Sequence, residues 1–241
     1  MNFKDTREIS LELSNIFKKI NSLPEVGCQR YGALYRGEEE GFVCSRCLEK
    51  ESQKIEARRK KDYQIQTLLN LSNIPKRYRN AIFKPKTEIQ NEVSQYFIEN
   101  FININLTKST DILLFGAIGT GKTYISCAFA LEIIIKSQKS IKYITEYDLL
   151  SLFFEKKYSE FRRFRECQIL ILDEIGKRVL ADWQRVQLEE LLSHRYNEML
   201  PTVYITNLEQ SDFREFLGSR LADRLRENRL ERFAFDGESL R

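Results

Sequence analysis

The sequence predicts an α/β fold: a five-stranded parallel sheet layered with helices, preceded by a small separate module. Three observations carry the prediction. From Ser109 onward short apolar runs alternate with helical patterns, as a parallel sheet with crossover helices requires. One of those runs, Ile112 to Phe115, passes at Gly116 into a glycine-rich turn and then into an apolar-rich helix. Another, Ile169 to Leu172, ends in the paired carboxylates Asp173 and Glu174.

The whole chain sets outer bounds. At 241 residues it holds one large domain, or one medium domain and a small module. Apolar residues make up 42%, enough for a sizeable core. A formal charge of +4 argues only weakly for a polyanionic partner, so the local distribution of charge matters more. No apolar run approaches the ~20 residues needed to cross a bilayer. The opening MNFKDTREIS is too polar and too acidic for a signal peptide. Five cysteines in a chain of this size do not make a disulfide framework. The expectation is a soluble cytoplasmic protein with no membrane partner.

Residues 5–23 read as a helix, with Asp5 and Glu8 forming a capping-box-like start. Ile9, Leu13, Ile16, Phe17 and Ile20 make one apolar face, suited either to its own domain or to a partner protein. Cys28 and the pair Cys44 and Cys47 outline a C-x₂-C…C-x₂-C zinc module in which Tyr31 stands at the second cysteine position. Zinc there needs Cys28, Cys44 and Cys47 plus a carboxylate from Glu38 to Glu40, or water; the alternative is a site held by packing alone. Residues 1–50 thus form a small module of their own. Residues 51–68 are a charged helical linker, with Arg58 to Lys61 a basic run on a solvated helix. Residues 69–241 form the main domain. It starts at Ile74-Pro75-Lys76-Arg77-Tyr78 and continues through Phe83 into a helical pattern at Val93, Tyr96, Phe97 and Phe101.

Gly116, Ala117, Ile118, Gly119, Thr120, Gly121, Lys122 and Thr123 spell G-x-x-x-x-G-K-[ST] between a predicted strand (111–115) and a predicted helix (122–136), with Tyr124 next in line. In that setting glycines let backbone N–H groups turn toward phosphate oxygens, and the helix N-terminus adds partial positive charge. Lys122 is placed to reach the β- and γ-phosphates of ATP, and the Thr123 hydroxyl to hold Mg²⁺. Strand 141–145 and a helix over 147–160 follow. Lys156, Lys157, Arg162, Arg163 and Arg165 are five cations in ten residues, interleaved with Tyr158, Phe161 and Phe164. Such a stretch suits single-stranded nucleic acid, with a solvated basic surface as the alternative.

The strand at 169–172 ending in Asp173 and Glu174 is the Walker B arrangement. Asp173 would hold Mg²⁺, and Glu174 would orient and deprotonate the attacking water. Helix 182–199 presents Trp183, Leu188, Leu191, Leu192, Tyr196 and Met199 to the core. His194 has no second histidine with which to share a metal. Strand 203–207 ends in Asn207, an amide that in an ATPase of this type sits between the two Walker strands near the γ-phosphate. The segment 211–229 breaks at Gly218-Ser219, where a glycine cap meets a serine cap. The helix that restarts carries Arg220 in its first turn and Arg224 one turn later. Arg220 suits the role of an arginine finger toward a neighbouring subunit; the alternative is ion pairing with Asp223 and Glu227. A fifth strand is expected at 232–235.

Taken together, IPKRY, GAIGTGKT, ILILDEIG, RY before PTVYITN, LGSRLADRLR and the terminal FDGESLR resemble the AAA+ helicase loaders of the DnaC family and the related IstB transposition ATPases. The resemblance runs over about 70–241. It implies a P-loop ATPase domain with almost no lid, whose subunits assemble as a spiral homo-oligomer, hexameric on the helicase. Each active site would be completed by a neighbour's arginine. Lys122, Thr123, Asp173, Glu174 and Asn207 fall on the Walker and sensor positions, Arg220 on the finger, and Arg224 near a second phosphate-sensing arginine. In the family, loaders place a DnaB-type replicative helicase onto single-stranded DNA, and a small N-terminal module grips the helicase. An IstB-like transposition helper is the competing reading. A metabolic kinase would need a substrate-binding insertion that the sequence does not offer.

Overall fold

The structure is a computed structural model that describes residues 25–27, 34–36, 43–102, 110–226 and 230–240. The helix expected at 5–23 lies outside these residues. The chain divides into two compact units, Met1–Tyr63 and Gln64–Arg241.

The first unit contains an antiparallel sheet of three short strands, β1 (Glu25–Gly27), β2 (Leu34–Arg36) and β3 (Val43–Cys44). Val26 pairs with Tyr35, and Tyr35 also pairs with Cys44. Runs this short show no periodicity, so the sequence did not reveal them. Helix α1 (Ser45–Leu71) follows and carries the chain from the first unit into the second.

In the second unit the last turns of α1 place Ile65, Leu68 and Leu69 on the core at helical spacing. A 3₁₀ turn, Lys76–Tyr78, leads to α2 (Glu88–Phe97), which is capped by the Thr87 hydroxyl accepting from Gln90 N–H. Strand β4 (Asp111–Gly116) and α3 (Lys122–Ser137) come next, followed by β5 (Ile141–Thr145), α4 (Glu146–Phe154), α5 (Tyr158–Glu166) and β6 (Ile169–Asp173). The chain continues through α6 (Asp182–Asn197), β7 (Thr202–Ile205), α7 (Gln210–Arg226) and β8 (Leu230–Phe235). The strands run parallel in the order β5-β6-β7-β4-β8.

Alternation along the strands builds two cores, because successive side chains leave a strand on opposite faces. Ile112, Leu114, Ile169, Ile171, Val203 and Ile205 pack with α1, α2 and α3, where Phe97 stacks on Phe129 at 3.7 Å. Leu113, Leu170, Leu172 and Tyr204 pack on the other face with α4 to α7. Helices on both faces of a parallel sheet confirm the predicted fold class.

Two expectations are corrected. The single helix over 147–160 is two helices, because the chain turns at Glu155 and Lys156, the latter with φ 57°. The basic stretch therefore lies largely on α5. The helix expected over 182–199 ends at Asn197, and Trp183 and Met199, expected in the core, remain 41% and 53% exposed. The large side chain α6 buries is Arg195, 1% exposed.

Arg195 has no carboxylate partner among its hydrogen bonds. Its guanidinium donates to the carbonyls of Phe164, Arg165, Cys167 and Pro201 and to the Thr202 hydroxyl, at 2.7–3.1 Å. One side chain thus ties α6 to the segments entering β6 and β7. Arg195→Met removes every one of these donors and leaves buried carbonyls unpaired. We expect a loss of at least about 3 kcal/mol, read as a lower denaturant midpoint at unchanged slope.

Candidate nucleotide site

The strand order decides where the site is. Strand β7 lies between β4 and β6, with Ile205 beside Leu114 and Tyr204 beside Leu172, so Gly116, Asp173 and Asn207 emerge together at one edge of the sheet. Ligands of open parallel sheets bind outside the carboxyl ends of the strands. A cleft of about 530 Å³ opens there, lined by residues 118–124, Asp173, Glu174 and Asn207. Of the residues predicted for the phosphate loop, Ile118, Gly119, Thr120, Gly121, Lys122, Thr123 and Tyr124 line it. Gly116 and Ala117 lie behind it and serve through their carbonyls.

The loop is folded around the Lys122 amine. Nζ donates to the carbonyls of Gly116 and Ala117, both at 2.7 Å. Burial lowers its pKa to about 8, with the Asp173 carboxylate pulling the other way. A buried cation with a lowered pKa at a cleft fits a site that takes negative charge. Gly121 takes φ 93°, a conformation that favours glycine, at the point where α3 starts.

Asp173 is held from three directions. Its Oδ2 accepts from the Thr123 hydroxyl and from the Tyr143 hydroxyl, each at 2.8 Å. Its Oδ1 accepts from Glu174 N–H at 2.7 Å. Burial raises its pKa and the three hydrogen bonds lower it. Burial, and then the neighbouring carboxylate, raise that of Tyr143, so the phenol stays protonated and donates. Thr123 and Asp173 are the residues that would hold Mg²⁺, which neutralises phosphate charge when bound.

Glu174 sits in the left-handed region at φ 56°, and its carboxylate pairs with Lys177 at 3.1 Å on the exposed rim. The backbone beyond it is fixed: Gly176 N–H donates to the buried Glu146 carboxylate at 2.8 Å, and Ile175 N–H to the Ile205 carbonyl at 3.1 Å. The Thr206 hydroxyl donates to the Ile175 carbonyl, which braces the turn before Asn207.

Neither arginine lines this chain's own cleft. Arg220 is exposed and pairs with Glu189 at 3.5 Å, a partner the sequence did not suggest; Glu227 lies outside the described residues. Arg224 donates to the Ser193 hydroxyl at 2.7 Å and lies over the Tyr196 ring at 5.6 Å. His194 accepts from Arg165 at 3.0 Å through Nδ1, since a guanidinium can only donate.

Of the basic stretch, Lys157 pairs with Glu155 at 2.7 Å and Arg162 with Glu166 at 2.6 Å, while Lys156 and Arg163 are exposed. Beside them stands an aromatic group not foreseen as a unit. Phe153 and Phe154 pack near Trp183 at 6.4 and 6.2 Å, Tyr158 edges against Phe153, and Phe154 is 76% exposed. Among the described residues no cluster of three or more ligating side chains could hold a metal ion. Cys28 and the side chains of Cys44 and Cys47 lie outside what is described, and the expected zinc site finds no support. Also among them, no helix is long and apolar enough to cross a membrane.

Sequence reasoning missed several residues that line or brace the cleft. Tyr143 read as one more apolar position of a strand. Gln90, Arg77, Tyr78, Lys86 and Leu240 come from segments far away in the chain; Arg77, Tyr78, Lys86 and Leu240 line the cleft, and Gln90 Nε2 donates to the Thr120 carbonyl at 3.2 Å.

Residues 36–241 match the family model described as IstB-like ATP binding protein. The chain belongs to that family. It is similar to the replicative helicase loader DnaC of Escherichia coli K12, at 24% identity over 201 residues, 78% of this chain and 77% of DnaC. It is also similar to the insertion sequence IS5376 putative ATP-binding protein of Geobacillus stearothermophilus, at 28% over 188 residues and 73% of each chain. A crystal structure of the DnaC helicase loader superposes with a TM-score of 0.59 at 26% identity, covering 66% of this chain and 99% of that one. The domain is an AAA+ P-loop ATPase fold of the DnaC and IstB kind, from an ATP-binding family.

Bound phosphates would restore the charge on Lys122 by supplying nearby anions. At pH 8, with its pKa near that value in the free protein, nucleotide binding should therefore take up about half a proton. Calorimetric binding heats measured in buffers of different ionisation enthalpy should differ accordingly. Identical heats would contradict the lowered lysine.

Proposed function

We propose that this protein hydrolyses ATP to load a ring-shaped, DnaB-type replicative helicase onto single-stranded DNA, working as a homo-oligomer. The observation that carries the reading is the gathering of Lys122, Thr123, Asp173, Glu174 and Asn207 at one cleft while Arg220 stands exposed outside it. In this reading Glu174 leaves Lys177 to orient and deprotonate the attacking water, and Asn207 places that water. Arg220 neutralises charge in the cleft of an adjacent subunit. Arg224 keeps its own helix seated on α6.

Residues 1–50 serve as the adaptor that grips the helicase, 51–68 as linker and 69–241 as the motor. The exposed aromatics Phe154, Tyr158 and Trp183, beside Lys156, Lys157, Arg162 and Arg163, suit stacking of unpaired bases along a phosphate backbone. Similarity to DnaC supports this choice. The second reading, an ATPase helper of transposition, is favoured by the insertion-sequence relative and would act on duplex DNA.

Lys122→Ala should abolish ATP turnover, and turnover at the original rate would sink the site assignment. Arg220→Ala should lower turnover by about 10³-fold or more with nucleotide binding retained. Mixing it with Glu174→Gln should restore activity, because one intact site can form between the two variants. A mixture as inactive as its parts contradicts a shared site.

The two readings part at the partner. Full-length protein should capture the host replicative helicase, and protein lacking residues 1–60 should not. A full-length protein that ignores the helicase yet coats duplex DNA selects the transposition reading.

A further inference from the structure

The chain does not leave the site after β8. The Phe235 carbonyl accepts from Ala117 N–H at 3.0 Å, and a Cβ at Gly116 would come within 2.8 Å of that same oxygen. Further on, Leu240 N–H donates to the Gly119 carbonyl at 3.0 Å. A Cβ at Gly119 would run into the Ser239 side chain, and one at Gly121 would lie 3.4 Å from Leu240 Cδ1. The outer wall of the phosphate loop is therefore the 235–240 segment.

We propose that residues 236–240 form a strap that presets the phosphate loop for a triphosphate, acting through Leu240 N–H on the Gly119 carbonyl. The proposal rests on the nucleotide reading of the cleft. In a trans peptide the C=O and N–H of one unit point in opposite directions. Holding the Gly119 oxygen from the strap side turns Thr120 N–H the other way. The next unit is held likewise, because Gln90 Nε2 takes the Thr120 carbonyl at 3.2 Å and so turns Gly121 N–H away from it. Successive N–H groups fixed in this manner are what an anion-binding nest consists of.

The strap matters because this stretch of loop has little bracing of its own: the Thr120 hydroxyl donates to the Ala117 carbonyl at 2.9 Å, while the Gly119 carbonyl is held from the strap. Gly119 and Gly121 sit at φ 87° and 93°, and without a Cβ their peptide planes rotate at little steric cost. The Leu240 side chain is 46% exposed, so apolar burial anchors the strap only partly and the backbone bond supplies the direction.

The test compares Leu240→Pro, which deletes the donor, with Leu240→Ala, which keeps it, and with a chain ending at Asp236. Binding of a fluorescent ATP analogue with Mg²⁺ is the readout, and thermal midpoints report folding. Leu240→Pro and the shortened chain should both bind about five- to tenfold more weakly, the worth of one net hydrogen bond. Leu240→Ala should lose clearly less. Wild-type affinity in Leu240→Pro, or in the shortened chain if the proline variant fails to fold, overturns the strap. Equal losses for Leu240→Ala and Leu240→Pro overturn the N–H mechanism. A wild-type protein that binds no ATP removes the nucleotide reading itself, an outcome distinct from both.

Discussion

The carboxylate of Asp173 is where three pieces of the main domain meet. A buried carboxylate needs donors, and here they come from the first turn of α3 (Thr123), from β5 (Tyr143) and from its own strand end (Glu174 N–H). Register makes the meeting possible, because Thr145 pairs with Asp173 and brings the end of β5 level with the end of β6. A slip of one residue would present Leu172 in place of the acid and turn the acid to the opposite face. The two cores on either side specify that register strongly. Fold and site thus depend on one alignment of strand ends.

The same economy of polar partners explains the phosphate loop. Loop carbonyls are taken up within the protein: those of Gly116 and Ala117 by Lys122, that of Thr120 by Gln90, and that of Gly119 by Leu240. Each bond fixes a peptide plane before any ligand arrives, which lowers the ordering cost at binding. Lys122 bears the electrostatic burden of this arrangement. Burial lowers the pKa of its amine to about 8 while two carbonyls accept from it, and phosphate oxygens close by would favour its charge further.

Elements with strong local signals were legible in the sequence. Strands β4 and β6 carry four consecutive apolar residues, the other three strands of the parallel sheet are rich in them, and the glycine loop and the acid pair name their own places in the chain. The position of Asn207 between the Walker strands also followed, because the strand order is a property of the resemblance and the structure has that order. What stayed hidden depends on side chains that mean something only in three dimensions. Tyr143 looks like a core residue until its hydroxyl meets Asp173. Arg195 looks like a surface arginine on a helix, yet four carbonyls converge on it from segments that no pattern in α6 announces. The break between α4 and α5 was missed because apolar spacing continues across it, and only the positive φ at Lys156 marks the turn.

The two arginines of α7 separate along physical lines that spacing alone could not draw. They lie one turn apart beyond the kink at Gly218, whose φ 77° and ψ 161° interrupt the helix. Arg224 is engaged twice by α6, through the Ser193 hydroxyl and the Tyr196 ring, so moving it means breaking contacts within its own subunit. Among the described residues Arg220 has a 3.5 Å pairing with Glu189, and the arginine side chain is 73% exposed. Exposed pairs of that kind contribute about 0–1 kcal/mol, so releasing Arg220 costs little. A cation on a helix anchored one turn away, loosely paired and facing solvent, combines a fixed origin with a free reach. That combination suits the role proposed for Arg220 and separates it from Arg224.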